Sequence, residues 1–158
     1  MGPAGWEVLD QARYIQDCVG KWGMGMFDTP GSPLKVGFDH FFGYNCQRHA
    51  HDYFPTYLYS DDKRFELPEN AGDAKKTYAQ ELIQRDVEKW IRAHAGGPFF
   101  FYYAITLPHA NNELGRATGN GMQIPSDAPY SQEPWPQPER NKAAMISRLD
   151  ADVGLVMA

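Results

Sequence analysis

The run Phe99-Phe100-Phe101-Tyr102-Tyr103-Ala104-Ile105 constrains the fold more than any other segment. An unbroken apolar and aromatic stretch has no alternate polar positions to offer to water. It therefore reads as a strand over residues 98–106 with both faces buried, as in the middle of a parallel sheet. Immediately before it, residues 78–94 place Tyr78, Leu82, Val87, Trp90 and Ile91 near a 3.6-residue period, which predicts a helix with one buried stripe. Thr77 with Gln80 matches a capping box, and Glu81 with Arg85 and Glu88 with Arg92 are favourable four-residue pairs. Gly96-Gly97 ends that helix and hands the chain to the strand. A helix feeding a buried strand is the building unit of α/β folds.

Around this unit the pattern is less regular. Residues 6–15 suit a short helix, 18–22 a brief buried strand, and 27–35 a loop rich in Pro and Gly. Extended segments are expected over 37–44 and 53–59, with Asp61-Asp62-Lys63 as a polar turn. Residues 107–137 form a long irregular loop, a kind that is usually functional or disordered. A last helix over 141–157 aligns Ile146, Leu149, Val153 and Val156 on one face and leaves Asp150 and Asp152 on a solvated one. The order gives an α/β fold with a mostly parallel sheet, flanking helices and long irregular loops, in a single domain over 1–158. With two evident core strands, the sheet looks partial.

The formal charge of −5 and the lack of a basic stripe argue against nucleic-acid binding. No uncharged apolar run reaches the length of a membrane span, so no membrane partner is expected. The first residues show neither a signal-peptide core nor a myristoylation pattern. Cys18 and Cys46 have neither zinc spacing nor disulfide density; Cys18 reads as a core residue and Cys46 as partly exposed. Compartment and oligomeric state are not encoded in any pattern here.

Two polar groups stand where strands run out into loops. Lys21 lies in Gly20-Lys21-Trp22-Gly23-Met24-Gly25, a compact ammonium among glycines that let a bulky tetrahedral group approach the backbone. His109 follows the apolar strand. In open α/β sheets ligands bind beyond the carboxyl ends of strands, so the pair suggests a site for an oxyanion ester. His49 and His51 are spaced to chelate a transition metal, yet the sequence places no third ligand. They read instead as part of a polar, aromatic loop at the substrate mouth, and no metal ligand is assigned. Asn111, Asn112 and Glu113 line the pocket or make turns.

These motifs resemble those of the sulfatases, enzymes of the arylsulfatase type within the alkaline-phosphatase-like superfamily. Five stretches match in order: Lys21-Trp22 with its glycines; Gly37-Phe38-Asp39 leading to Phe42-Gly43-Tyr44; His49-Ala50-His51-Asp52-Tyr53 through Pro55-Thr56-Tyr57-Leu58; Pro98-Phe99-Phe100 through Leu107-Pro108-His109-Ala110-Asn111; and Arg148-Leu149-Asp150-Ala151-Asp152-Val153-Gly154. The resemblance implies a partial alkaline-phosphatase-like domain that hydrolyses sulfuric esters of sugars or aryl alcohols. In it Lys21 and His109 are catalytic, and His49, His51, Asn111 and Asn112 contact a small sulfate-ester substrate. It also implies calcium as cofactor, with ligands outside this chain. There are departures. Gly23 stands where many relatives carry histidine, and no Cys/Ser-X-Pro-X-Arg nucleophile motif occurs. The paired aspartates and the Asp-Asn pair of the family's metal cradle have no counterpart. The chain alone is accordingly expected to be inactive. The alternatives are a phosphoric or phosphonic ester hydrolase of the same superfamily and a non-catalytic vestige that binds anions.

Overall fold

The computed structural model describes residues 8, 9 and 11–158. The elements are β1 (Ile15–Lys21), α1 (Pro33–Val36), β2 (His40–Tyr44), β3 (Tyr57–Ser60), β4 (Lys63–Glu66), α2 (Ala79–His94), β5 (Phe99–Ala104), α3 (Asn112–Thr118) and α4 (Gln137–Met157). Short 3₁₀ segments lie at His49–His51 and over Pro68–Asp73, the latter broken by a kink at Ala71 and Gly72. Most of the helix expected over 6–15 lies outside the described residues; residues 8, 9 and 11 are helical, and β1 takes over at Ile15. The expected loop over 27–35 contains the start of α1, whose first residue is a proline.

The five strands form one sheet in the order β4-β3-β2-β1-β5. β5, β1 and β2 run parallel, and β3 and β4 add an antiparallel hairpin beyond β2. α2 covers one face, where Val19, Phe42, Tyr44 and Leu58 pack with Ile83 and Val87. The other face carries Cys18, Trp22, Phe38 and Phe41. A third cluster of Tyr53, Phe54, Tyr78, Leu107 and Met145 fills the space beyond the carboxyl ends of the strands, towards α4. Cys18 is fully buried and Cys46 half-buried, both as free thiols.

Several expectations are corrected. β5 lies at the sheet edge among the described strands, so its run is not buried on both sides and Tyr102 is 41% exposed. Its aromatic content serves two faces but only one neighbour. Phe101 and Tyr103 pack towards α2, and Phe100 meets Phe38 on the reverse. The capping box does not form. The Thr77 hydroxyl donates to Glu69 Oε1 at 2.7 Å, and Gln80 turns inward to the Tyr103 hydroxyl at 2.7 Å. Glu88 pairs with Arg92 at 2.9 Å, whereas Glu81 faces Arg148 at 3.6 Å.

The packed face of α4 keeps half of the expected one, since Leu149 and Val156 lie against the core clusters, and is otherwise rotated. Ala144, Met145 and Asp152 are buried, while Ile146 and Val153 are 47% and 45% exposed. Asp152 accepts from Gln80 Nε2 at 2.8 Å and from Arg148 Nε at 2.9 Å. It is a buried, paired carboxylate and not part of a solvated face. The reason lies in α2, whose inward-facing Gln80 and Gln84 need polar partners from the helix packed against them.

Two glycines let the strands close up beneath Lys21. A Cβ on Gly20 would stand 2.1 Å from the Ala104 carbonyl oxygen, and one on Gly43 would stand 2.1 Å from that of Gly20. Their φ values of +111° and +143° are also ones that side chains rarely adopt.

Candidate active site

Lys21 is the last residue of β1, in register with Tyr44 at the end of β2, and Gly20 is in register with Ala104 at the end of β5. The three parallel strands thus open at one edge, and Lys21 at the end of β1 and the segments after β2 and β5 carry every site residue expected from the sequence. The Trp22 amide donates to the Tyr44 carbonyl at 2.9 Å, and its indole donates to the Gly31 carbonyl at 2.8 Å. These bonds hold the Lys21 backbone from the C-terminal side. Lys21 itself is half-buried and makes no ion pair or hydrogen bond among the described residues.

His109 is fixed by its backbone and by one ring nitrogen. Its amide donates to the Thr106 carbonyl at 2.9 Å, and Nδ1 donates to the Ala110 carbonyl at 2.7 Å. A carbonyl can only accept, so Nδ1 carries a proton and Nε2 is the nitrogen left for a ligand. The buried Tyr53 hydroxyl shares its proton between the carbonyls of Thr106 and His109, at 2.9 and 2.8 Å. The His51 ring stacks on that of His109 with centroids 5.2 Å apart. His51 Nδ1 donates to Glu113 Oε2 at 2.8 Å, and this bond holds the Glu113 carboxyl below its ordinary range.

The other expected residues sit around this pair. His49 lies between the rings of Tyr44 and Tyr57, at 5.1 and 4.3 Å. Burial pushes its imidazole below the ordinary value. Asn111 is buried and caps α3, its side chain accepting from the Leu114 amide at 3.0 Å and donating to Gln123 Oε1 at 2.9 Å. Asn112 is exposed on the first turn of α3. Thus His51 and His109 are brought into contact, Lys21 stands beside Tyr44 and hence on the His49 side, and Asn111 braces the His109 loop from beneath.

Gln123 carries no pattern that the sequence could have flagged, while Asp52 and Tyr53 lie in one of the matching stretches and Glu113 in the loop after β5 without the sequence showing what they bind. Gln123 links three segments. Its Oε1 accepts from the Tyr53 amide at 3.1 Å and from Asn111, and its Nε2 donates to Asp52 Oδ1 at 3.1 Å. The loop over 107–137 is therefore divided. Its first half supplies His109, Asn111, Glu113 and Gln123, whereas its second half packs on α4 through Tyr130 with Ser147 and Asp127 with Arg140.

Calcium does not fit this edge. The cation wants six to eight oxygens, and the nearby carboxylates are engaged elsewhere. Asp52 accepts from the Phe54 amide and Gln123, and Glu113 is held by His51 and Arg48. Among the described residues no helix is long and apolar enough to cross a membrane.

Comparison with known proteins bears on this geometry. A family model described as Sulfatase matches residues 6–154. The chain is 31% identical over 117 residues to N-acetylgalactosamine-6-sulfatase of Homo sapiens, covering 66% of this chain and 22% of that protein. It is 30% identical over 115 residues to an arylsulfatase of Klebsiella aerogenes, covering 65% and 23%. The chain thus spans about a quarter or less of the length of the curated relatives it matches. The crystal structure of Ps i-CgsB in complex with k-i-k-neocarrahexaose shares the fold with a TM-score of 0.73 at 20% identity, over 96% of this chain and 34% of that one.

Proposed function

This chain belongs to the sulfatase family, and we propose that in the full-length protein it supplies the anion-binding edge of a hydrolase acting on sulfuric esters of sugars or aryl alcohols. The observation that carries this reading is the placement of Lys21 and the His109 loop at the carboxyl ends of adjacent parallel strands. Lys21, whose ammonium has no partner among the described residues, neutralises charge on the non-bridging sulfuryl oxygens. His109, with Nδ1 committed to Ala110, presents Nε2 to the bridging oxygen. In the imidazolium form Nε2 donates a proton to that oxygen as the sulfur–oxygen bond breaks, so that the alcohol leaves neutral. His51, His49, Asn111 and Asn112 shape the mouth around the alcohol part of the substrate.

The nucleophile that receives the sulfuryl group is not assigned to any residue of this chain, and water completes the hydrolysis. Calcium would screen charge in the family reaction, and the described residues at this edge offer it no cradle. Positioned donors of this kind commonly contribute about 10²–10³ in kcat. The test is turnover of chromogenic aryl sulfate and aryl phosphate by the full-length protein and its Lys21→Ala and His109→Ala variants. Sulfate turnover that falls by that factor in each variant is expected. Turnover of the phosphate alone, or rates unchanged in both variants, would overturn the reading.

A further inference from the structure

A second cluster of chemistry-bearing residues lies away from the anion edge. Asp17 sits on β1 in register with His40, the first residue of β2, and Asp86 faces them from the middle of α2. Asp17 is four residues before Lys21 on the same strand, about 13 Å away at the rise of a strand. Its side chain is fully buried. Asp17 Oδ1 meets His40 Nδ1 at 2.8 Å, and Asp86 Oδ2 lies 3.8 Å from the same nitrogen. One potential ligand atom from each residue lies within 4.8 Å of the others.

Hydrogen bonding leaves this group incomplete. Among the described residues, Asp17 Oδ2 and Asp86 Oδ2 are both buried without a hydrogen-bond partner, although buried carboxylate oxygens are normally satisfied. A third carboxylate, Asp61, also acts on Asp17, His40 and Asp86, and the positive groups acting on Asp86 are His40 and Lys89. Three carboxylates thus face one imidazole and one lysine, and the unpartnered oxygens lie beside that imidazole, an arrangement that a bound cation would complete.

We propose that Asp17, His40 and Asp86 form a binding site for a first-row divalent cation of the Zn²⁺ type. One imidazole and two carboxylates are donors that zinc accepts. With bonds of about 2.0–2.1 Å, tetrahedral ligand atoms stand roughly 3.3–3.5 Å apart. Opening the Asp17–His40 contact and closing the Asp86–His40 gap by about half an ångström each brings these two separations to that spacing, and the two carboxylates already lie within 4.8 Å of each other. The cation replaces the Nδ1 proton of the imidazolium, which leaves to solvent while Nε2 keeps its own proton, and a water fills the fourth position. Calcium is the poorer fit, since the three residues supply few oxygens and one nitrogen. The site would tie α2 to β1 and β2, in a place unrelated to sulfuryl chemistry.

The test uses Co²⁺ as a coloured probe and Zn²⁺ by calorimetry on the full-length protein freed of metal. One equivalent of Co²⁺ giving visible d–d bands of a tetrahedral centre is expected, displaced by Zn²⁺. Asp86→Asn, on the partly exposed rim, and His40→Gln should each weaken binding at least tenfold, with far-UV circular dichroism confirming the fold. His51→Gln should leave the bands intact. Absence of stoichiometric binding in the unsubstituted protein overturns the proposal, whatever the variants do. So do bands that survive Asp86→Asn and His40→Gln, since the metal would then sit elsewhere.

Discussion

His51 and His109 stack with ring centroids 5.2 Å apart and planes 13° from parallel. They come from different loops, one after β2 and the other after β5. Each ring spends Nδ1 on a fixed acceptor, the Glu113 carboxylate for His51 and the Ala110 carbonyl for His109. Both therefore keep Nε2 for a ligand, and the carboxylate offsets the repulsion that two charged rings would feel. Glu113 is a positioning residue in this arrangement, because it acts through His51.

Glu113→Gln removes that negative charge at nearly constant shape. In the full-length enzyme we expect kcat/KM for an aryl sulfate to fall by about tenfold, roughly 1.4 kcal/mol in the barrier, and less than in His109→Ala. The loss should lie in kcat more than in KM, because Glu113 acts through His51 and makes no contact with the substrate itself. A kcat and KM both equal to those of the unsubstituted enzyme would show that Glu113 has no such role.

His49 gives a pH dependence of stability with a defined sign. Burial holds its imidazole below the ordinary value, against the opposing influence of Asp52. The unfolded chain then binds a proton at His49 more readily than the folded one. This contribution leaves stability intact above the unfolded value of about 6.5 and subtracts from it as pH falls, levelling off below the folded pKa. Denaturant melts should show a gap between the unsubstituted protein and His49→Gln that changes between pH 7.5 and pH 5, the unsubstituted protein losing more stability on acidification. Parallel curves would mean that His49 is freely protonated in the fold.

The carboxyl end of β1 tests the packing beneath Lys21. Gly20→Ala places a Cβ 2.1 Å from a backbone oxygen at a φ of +111°. Overpacking costs about 1–3 kcal/mol, and the left-handed backbone adds about 1–2. A loss of about 3 kcal/mol in urea melts is expected, together with weaker sulfate binding if the strand end shifts. A loss below about 1 kcal/mol would mean that β1 and β5 can separate locally without consequence.

Much of this architecture is legible in local pattern, and what is not depends on distant partners. The α2 stripe and the β5 run announce themselves because periodicity is a property of neighbouring residues. Trp90, expected to be buried, is 7% exposed and packs on Phe99 and Phe101. Whether β5 has one neighbour or two is not a local property, so an apolar run at the edge reads as a central strand. Asp152 looks like a surface acid until Gln80 and Arg148 supply its hydrogen bonds. The same holds at the site. Lys21 and His109 can be picked out by their place after strands, whereas Tyr53 and Gln123 matter through carbonyls and amides far away in the chain.

Trp90 also offers a direct stability test. Its truncation to alanine removes ring contacts at 5.4 and 5.5 Å from Phe99 and Phe101. A large-to-small change of this kind costs about 3–5 kcal/mol where the cavity cannot collapse. A loss under about 1 kcal/mol would mean that β5 moves in to fill the space.

The last expectation concerns the 158-residue chain by itself. Lys21 and His109 can attract and polarise an anion, but holding substrate and transition state alike does not raise the rate of the chemical step. Sulfuryl transfer in this family needs an activated nucleophile, and no Cys/Ser-X-Pro-X-Arg sequence stands among these residues to supply one. Incubated with a chromogenic aryl sulfate, calcium and a formylglycine-generating enzyme, the isolated chain should give no turnover above buffer. Sulfate should still protect it weakly against thermal unfolding, and Lys21→Ala should abolish that protection. Turnover that disappears in Lys21→Ala would instead require a nucleophile within this chain, and the roles assigned to Lys21 and His109 would have to be redrawn around it.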